Sequence, residues 1–293
     1  MSAQPQAIQA APAKRRAKDV AFRLALMACL GLSILLLGVL LYDVVSDGAS
    51  KLSFDLLDRF PSFNPERAGL QSAFWGTVWL MGVCAAFIVP VGVGTAVYLE
   101  EYADRERWWN RLIEVNIQNL AAVPSIVYGI LGLAFLVRGP LSLGRVVLAG
   151  ALTLGLLVLP VVIIAAREAI RAVPSSIREG SMALGATQWQ TIWKQVLPSA
   201  IPGIATGVIL ALSRAIGETA PLILVGAATF VAFNPSGLDS AFTALPLQIF
   251  EWISRPQDEF KLLAAAGILV LLALLISMNA VAIWLRNRYE QKW

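Results

Sequence analysis

The sequence predicts an all-α membrane protein with six transmembrane helices and both termini in the cytoplasm. Of its 293 residues, 58% are hydrophobic and 14% are charged, whereas soluble domains contain about 25% charged residues. Six apolar segments also have the length of about 20 residues that a helix needs to cross a bilayer. A soluble core could not bury this much apolar surface, so the chain is expected to lie in a membrane.

The six predicted spans are separated by more polar connections. They cover residues 24–42, 71–99, 115–137, 146–166, 201–225 and 262–285. We divide the chain into a disordered cytoplasmic tail (1–20), a first helix with its extracytoplasmic loop (21–70), and a core (71–293) with a cytoplasmic loop at 167–200. The tail is expected to be disordered because residues 2–13 are rich in Ala, Gln and Pro.

The distribution of basic residues predicts the orientation of the spans. With the N-terminus inside, 15 basic residues fall on the cytoplasmic side and 7 on the outer side. Basic residues collect on the cytoplasmic side of membrane proteins, and this also accounts for the formal charge of +4. A cleaved secretory signal is the alternative for the N-terminus, but the apolar run continues well past Cys29 and is too long for one.

The residue types present exclude several classes of site. No histidine occurs, which excludes Ser-His-Asp triads, H-E-x-x-H metalloproteases and most zinc sites. Cys29 and Cys84 lie in apolar runs, so we expect neither a disulfide framework nor a thiolate site. We predict no catalytic residue, no metal site and no cofactor bound by this chain. The chain has no G-x-x-x-x-G-K-[ST] loop either, so any ATP that drives it must bind another subunit.

The most specific pattern lies in the 167–200 loop, where residues 178–198 read REGSMALGATQWQTIWKQVLP. Glu179 begins a run of small residues, and Leu197-Pro198 begins twelve positions after Gly185. This pattern resembles the E-A-A…G…I-x-L-P loop of ABC importer permeases, which docks on the ATPase subunit as two short helices joined by a glycine turn. An amphipathic inner loop without a partner is the alternative.

The resemblance implies a set of docking residues, with small departures at Gly180 and Ser181, where alanines are usual, and at Gln195, where isoleucine is usual. Small side chains let a helix lie close to a partner, and glycine permits the positive φ of a sharp turn. Two tryptophans four residues apart share a helical face and would be anchors in such an interface. The set is Glu179, Gly180, Ser181, Ala183, Gly185, Trp189, Trp193, Leu197 and Pro198.

A charged pair interrupts the fifth predicted span. Arg214 lies 13 residues after Ile201, or about 20 Å along a helix. An arginine at that depth must face a partner or a water-filled cavity. Glu218, one turn further on, can neutralise it, and a purely structural salt bridge is the alternative to a role in transport. A guanidinium can also donate two parallel hydrogen bonds to an oxyanion, which suits it to a phosphate pathway.

Three further segments narrow the resemblance: NLAAVPSIVYG at 119–129, RAIGETAPL at 214–222 and LPLQIFEWISRPQ at 245–257. From about Gln71 to the C-terminus the chain resembles the Pst-type phosphate importer, and of its two permeases the PstA type. The resemblance implies a type I ABC importer permease fold in a prokaryotic inner membrane. The pathway residues that we expect are Arg214, Glu218, Thr219, Ser125 and Tyr128, although Pro124 beside the last two could equally mark a packing kink.

The same resemblance implies four partners besides the lipid bilayer: a second, related permease, a pair of identical ATPase subunits that carry ATP and Mg, and an extracytoplasmic phosphate-binding protein. The nearest alternative function is an ABC permease for another oxyanion such as molybdate or sulfate. A secondary anion transporter could use Arg214 and Glu218 without ATP, but it leaves the 178–198 pattern unexplained. A signalling membrane protein is a third alternative.

Overall fold

A computed structural model describes residues 13–104, 106–227 and 230–289 of the chain. Over these residues the protein is built from helices, and no strand occurs. Five helices are long and apolar enough to cross a membrane, and a bent helix pair makes a sixth candidate span. The all-α prediction with six transmembrane segments therefore agrees with the architecture, if the bent pair is one span.

Twelve α-helices follow one another in the described ranges, and three of them are extended by a π-helical turn. The short helices connect the spans or continue them. They are α1 (Ala13–Ala49), α2 (Phe54–Asp58), α3 (Gln71–Val97, extended by a π turn at Tyr98–Tyr102), α4 (Trp108–Ala121), α5 (Ser125–Leu131, extended by a π turn at Gly132–Val137), α6 (Val147–Arg171), α7 (Ser175–Ala183), α8 (Gln188–Thr191, extended by a π turn at Ile192–Val196), α9 (Leu197–Ile216), α10 (Ala220–Val225), α11 (Leu245–Ile253) and α12 (Asp258–Tyr289).

The first helix is longer than predicted and includes part of the predicted tail. Residues 13–20, which we expected to be disordered, lie within α1, and the rest of the predicted tail falls outside the described residues. Lys18–Ala49 forms an apolar helix with almost all its side chains exposed. Near its end Gly48 lies against the backbone of α12, where an added Cβ would be 2.8 Å from Ala265 C. The polar residues of the predicted tail are thus partly helical because they continue a strongly apolar helix.

Two predicted spans are broken rather than straight. The third, predicted as 115–137, consists of α4 and α5, which meet at an angle of 108°. Pro124 stands between them, and proline disfavours the helical conformation of the residue before it. The fifth, predicted as 201–225, begins earlier, at Gln188, and its helix ends at Ile216. Pro221 then lies in the first turn of α10, where its missing N–H costs nothing.

Helix α6 forms the centre of the bundle, with α3 on one side and α9 on the other. Small residues make these contacts close: an added Cβ on Gly92 would be 2.7 Å from Val162 Cγ1, and one on Gly207 would be 2.3 Å from Ala165 Cβ. Gly203, one turn before Gly207, approaches Ala169 in the same way. Gly203 and Gly207 thus form a small-x-x-x-small pattern that lets α9 pack closely against α6.

Candidate translocation site and docking loop

The break between α9 and α10 holds the charged pair. Gly217, Glu218 and Thr219 separate the two helices. The Gly217 and Glu218 N–H groups donate to the carbonyls of Arg214 and Ala215, at 3.2 Å each, so the chain leaves the helix through a tight turn. Thr219 is half-buried and precedes α10, and its carbonyl accepts a hydrogen bond from Ile223. Irregular backbone within an apolar segment is tolerated where it is buried in protein or lines a cavity.

Arg214 and Glu218 lie together, but their contact is long. Arg214 Nε is 3.5 Å from Glu218 Oε1, and the side chains are 45% and 19% exposed. Strong guanidinium–carboxylate pairs have N–O distances of about 2.7–2.9 Å and are often bidentate. Within the described residues this is the one ion pair of Arg214, and its guanidinium donates no hydrogen bond to protein there. Most of its five donors therefore remain available to a ligand.

Tyr128 and Ser125 stand at the other break, at the start of α5. Tyr128 is buried, and its hydroxyl donates a hydrogen bond to the Leu120 carbonyl at 2.8 Å. Leu120 is in the last turn of α4, and its carbonyl also accepts the Val123 N–H at 3.2 Å, so the Tyr128 hydroxyl adds a second hydrogen bond where the helix ends. Ser125, the first residue of α5, is half-buried. The Tyr128 hydroxyl thus holds the bend together, which is the packing role we considered as the alternative.

The two breaks are brought against each other by a glycine. An added Cβ on Gly129 would lie 2.7 Å from Pro221 Cα and 2.9 Å from Leu224 Cδ1. Helices α5 and α10 can approach this closely only because Gly129 has no side chain. Four of the predicted pathway residues, namely Arg214, Glu218, Thr219 and Tyr128, therefore cluster where two interrupted spans meet.

The 167–200 loop is mostly helical, and Gly185 makes its turn. Gly185 has φ +86°, in the left-handed region that glycine enters without steric cost. Helix α7 precedes it and α8 follows, begun by a capping box of Thr187 and Gln190. Ser181 Oγ and Thr191 Oγ1 are 2.9 Å apart and link the two helices. The resemblance implied a short, separate second helix. Instead, α8 continues directly into α9.

The turn presents a small exposed apolar surface. Most of the predicted docking residues are exposed: Glu179, Gly180, Ala183, Gly185, Trp189 and Trp193. Leu197 and Pro198 are half-buried at the start of α9, and Ser181 is half-buried by its bond to Thr191. Leu184, which was not among the predicted docking residues, is 91% exposed at the tip of the turn. Its signal was a large apolar residue directly before the turn glycine.

Trp189 and Trp193 share a face, as predicted, and pack edge to face with ring centroids 5.3 Å apart. They border a groove of about 550 Å³ whose opposite wall is the end of α3, with Val93, Val97 and Tyr98. The indoles therefore point towards α3 as well as outwards. This groove lies at the end of the bundle that carries α7 and α8, which we call the loop end.

A network of ion pairs at the loop end was also missed. It joins the π turn after α3 to α4, α6 and α7. Its contacts are Arg167 Nη2 to Glu100 Oε1 at 2.9 Å and to Glu114 Oε1 at 3.0 Å, Arg171 Nη2 to Glu100 Oε1 at 2.7 Å, and Arg178 Nη2 to Glu101 Oε1 at 2.7 Å. The available signal was two adjacent acids at the end of one apolar span and a series of arginines at the end of another.

Comparison with known proteins decides the family. The family described as "Binding-protein-dependent transport system inner membrane component" matches residues 88–292. This chain belongs to that family. It is accordingly a permease subunit of an ABC importer and a multi-pass inner-membrane protein. Membership of this family excludes the secondary anion transporter that we considered as an alternative.

Several curated relatives are similar over most of the chain. The probable ABC transporter permease protein YqgI of Bacillus subtilis is 31% identical over 273 residues, covering 89% of this chain and 92% of the relative. The phosphate transport system permease protein PstA 1 of Mycobacterium tuberculosis is 36% identical over 219 residues, covering 74% and 70%. PstA of Xylella fastidiosa is 34% identical over 254 residues, covering 84% and 85%. The resemblance to the PstA type is thereby confirmed.

Solved structures share the fold at low sequence identity. A bacterial importer of the acidic polysaccharide alginate aligns with a TM-score of 0.62 at 18% identity, covering 94% of this chain and 99% of that one. The MetNI methionine transporter aligns with a TM-score of 0.60 at 17% identity, covering 76% and 96%. At such identities these likenesses concern the fold alone, which is that of type I ABC importer permeases.

Proposed function

We propose that this chain is the PstA-type permease subunit of an ATP-driven importer that moves inorganic phosphate into the cell. The observation that carries the proposal is the loosely held Arg214 beside Glu218, at the point where two broken spans meet. Relatives at 34–36% identity that are named phosphate permeases support the choice of substrate.

The chemistry of the pair suits transient binding of phosphate. With its nearest carboxylate oxygen at 3.5 Å, the guanidinium keeps its planar donor fork available for two phosphate oxygens. An arriving anion displaces the Glu218 carboxylate, and Glu218 takes the arginine back when the anion leaves. Transport requires binding that is favourable enough to admit the ion and weak enough to release it. Thr219 and Ser125 offer hydroxyl groups beside the two breaks.

The partners in this proposal are a second related permease, two identical ATPase subunits and an extracytoplasmic phosphate-binding protein. The family description supports the dependence on a binding protein. The absence of a P-loop motif from the sequence supports placing ATP and Mg on the ATPase subunits. The exposed turn around Leu184 and Gly185 is the surface that would meet an ATPase. One related alginate transporter has been solved in complex with its periplasmic protein.

The experiment that tests the substrate is uptake into proteoliposomes by the assembled importer with its binding protein. We expect ATP-dependent accumulation of labelled phosphate that excess unlabelled phosphate abolishes and excess sulfate or molybdate leaves unchanged. Uptake of labelled sulfate or molybdate at a rate equal to or above that of phosphate would instead assign the chain to another oxyanion. A catalytically dead ATPase is the control for leakage through the permease.

A further inference from the structure

Arg178 joins three separate parts of the loop end. Its Nε and Nη2 atoms donate to Glu101 Oε1 at 3.1 and 2.7 Å. Its Nη1 donates to the Val173 carbonyl at 2.7 Å, and its Nη2 donates to the Ile170 carbonyl at 2.9 Å. The guanidinium therefore satisfies carbonyls at the end of α6 and just beyond it while it holds the π turn after α3. Because Arg178 is itself in α7, this single side chain fixes the helix that precedes the Gly185 turn.

Glu101 also contacts α8, the helix that follows the Gly185 turn. Its carbonyl accepts a hydrogen bond from Gln188 Nε2 at 2.6 Å, and Gln188 is the first residue of α8. The Glu101 and Arg178 side chains are 9% and 21% exposed, so solvent screens their attraction less than at the surface. Both helices that flank Gly185 are thus attached to one residue at the end of α3.

The adjacent Glu100 extends the connection towards the candidate translocation site. It pairs with Arg167 and Arg171 of α6, and Arg167 pairs in turn with Glu114 of α4. Helix α4 ends at the bend that the Tyr128–Leu120 hydrogen bond secures, and α5 then contacts α10 beside Arg214 and Glu218. A continuous series of packed helices and ion pairs therefore runs from the turn to the two breaks.

We propose that Arg178 and Glu101 are positioning residues that make the Gly185 turn and the loop ends of α3 and α6 move as one body. Displacement of the turn by a docked ATPase is passed to α4 through Glu100, Arg167 and Glu114. Without the clamp formed by Arg178 and Glu101, the turn still presents its docking surface, but its movement no longer reaches the bent span. This inference rests on the proposed docking of an ATPase at the turn and not on phosphate as the substrate.

The test compares Arg178→Gln, Glu101→Gln and the double variant in the fully assembled importer. The measured quantity is the ratio of ATP hydrolysed to substrate taken up, together with the yield of co-purified ATPase. We expect wild-type ATPase yield and a ratio raised by about tenfold, a size typical of coupling between sites. The double variant should be no worse than either single variant, because both singles remove the same contact. Arg178→Lys keeps the charge but loses the fork, so it should restore the ratio only in part.

Arg288→Gln is the matched control, because it removes the same charge from an exposed position on α12. Its ratio should equal that of the wild type. A normal ratio in the double variant would overturn the proposal, since the damage in the singles would then come only from an unpaired charge. Loss of co-purified ATPase would also overturn it, by making the pair part of docking or folding. If the wild-type importer carries sulfate rather than phosphate, the proposed substrate is wrong. The role of Arg178 and Glu101 is then tested by the same ratio, with sulfate uptake in place of phosphate uptake.

Discussion

At the scale of single residues, Arg214 and Glu218 differ from the ion pairs at the loop end in the length of their contact. Their contact is 3.5 Å, and the arginine side chain is 45% exposed at the end of an apolar helix. The pairs at the loop end, by comparison, have distances of 2.7–3.0 Å and bury most of their partners. A pair that only held the helix in register would gain from the shorter geometry. The long contact favours exchange of the carboxylate for an anion.

We predict that Arg214→Ala with Glu218→Ala gives an assembled importer that hydrolyses ATP but transports almost no phosphate. Either single variant leaves one charge unpaired in the bundle and can fail for that reason, so the double variant is the informative one. Removing the guanidinium should lower uptake by roughly 100-fold, which corresponds to about 2.8 kcal/mol for a lost charge-assisted contact. Uptake is measured in vesicles beside the yield of the complex.

The outcome separates the two roles of the pair. A structural salt bridge predicts that the double variant regains both assembly and substantial uptake. Near-normal phosphate uptake by the double variant would therefore rule out Arg214 as a pathway residue. Arg214→Lys with Glu218 intact is the companion variant, because it retains the charge and removes the planar fork.

At the scale of elements, the positions of the helix breaks could be predicted from the sequence more reliably than their geometry. The pattern at 178–198 predicted the turn at Gly185, whose φ of +86° fits that prediction. Pro124 was recognised as a position that opens the helix, but the bend of 108° was not predicted. Its size depends on the packing of α5 against α10 through Gly129. Such a contact between distant segments leaves no local periodic signal.

We predict that Gly185→Val prevents docking of the ATPase. A β-branched residue strongly resists a left-handed conformation, so the turn must open and the exposed surface around Leu184 is lost. Co-purification of the ATPase should fall to background. Gly185→Asn is the matched control, because asparagine enters the left-handed region several times more often than other residues, and it should retain most of the docking. Wild-type ATPase yield and transport with valine would contradict the assignment of this turn.

We also predict that Gly129→Ala weakens the contact between the two broken spans. The new Cβ would lie 2.7 Å from the Pro221 backbone, and overpacking of this kind costs about 1–3 kcal/mol. The melting temperature of the assembled complex should fall by several degrees. Gly82→Ala makes the same change in α3 at a glycine with open space around it, and its melting temperature should not fall. Equal stability of the two variants would show that α5 and α10 are not held together at Gly129.

At the scale of the whole molecule, apolar length predicted the straight spans, because a bilayer imposes the same requirement on every one of them. Helix α3 with its π turn, α6 and α12 match the predicted segments to within five residues at each end. The ion-pair network could not be predicted in this way. Arg178 and Glu101 are 77 residues apart in sequence, and Arg167 and Glu114 are 53 apart. Their pairing follows from the arrangement of α3, α4 and α6, which no local pattern specifies.

The single chain exposes a charged side chain that is poorly suited to contact with lipid. Arg214 remains 45% exposed next to apolar helices, and an arginine facing lipid at that depth costs at least about 2.5 kcal/mol on insertion scales. In the assembly that we propose, a pathway shared with a second permease gives this side chain a polar cavity. The described part of α1 contacts the rest of the chain only near its end, so most of its surface is also free for lipid or a partner.

We therefore predict that this chain, reconstituted with the ATPase subunits alone, transports no phosphate, and that adding the second permease restores uptake. The physical reason is that, in the proposed assembly, the second permease supplies the other half of the pathway wall around Arg214. Uptake of labelled phosphate into proteoliposomes is measured with and without the second permease, at matched amounts of ATPase and binding protein. The complete assembly is the positive control. Full uptake without the second permease would mean that copies of this chain build the pathway among themselves, and Arg214 would then face its equivalent across a symmetric interface.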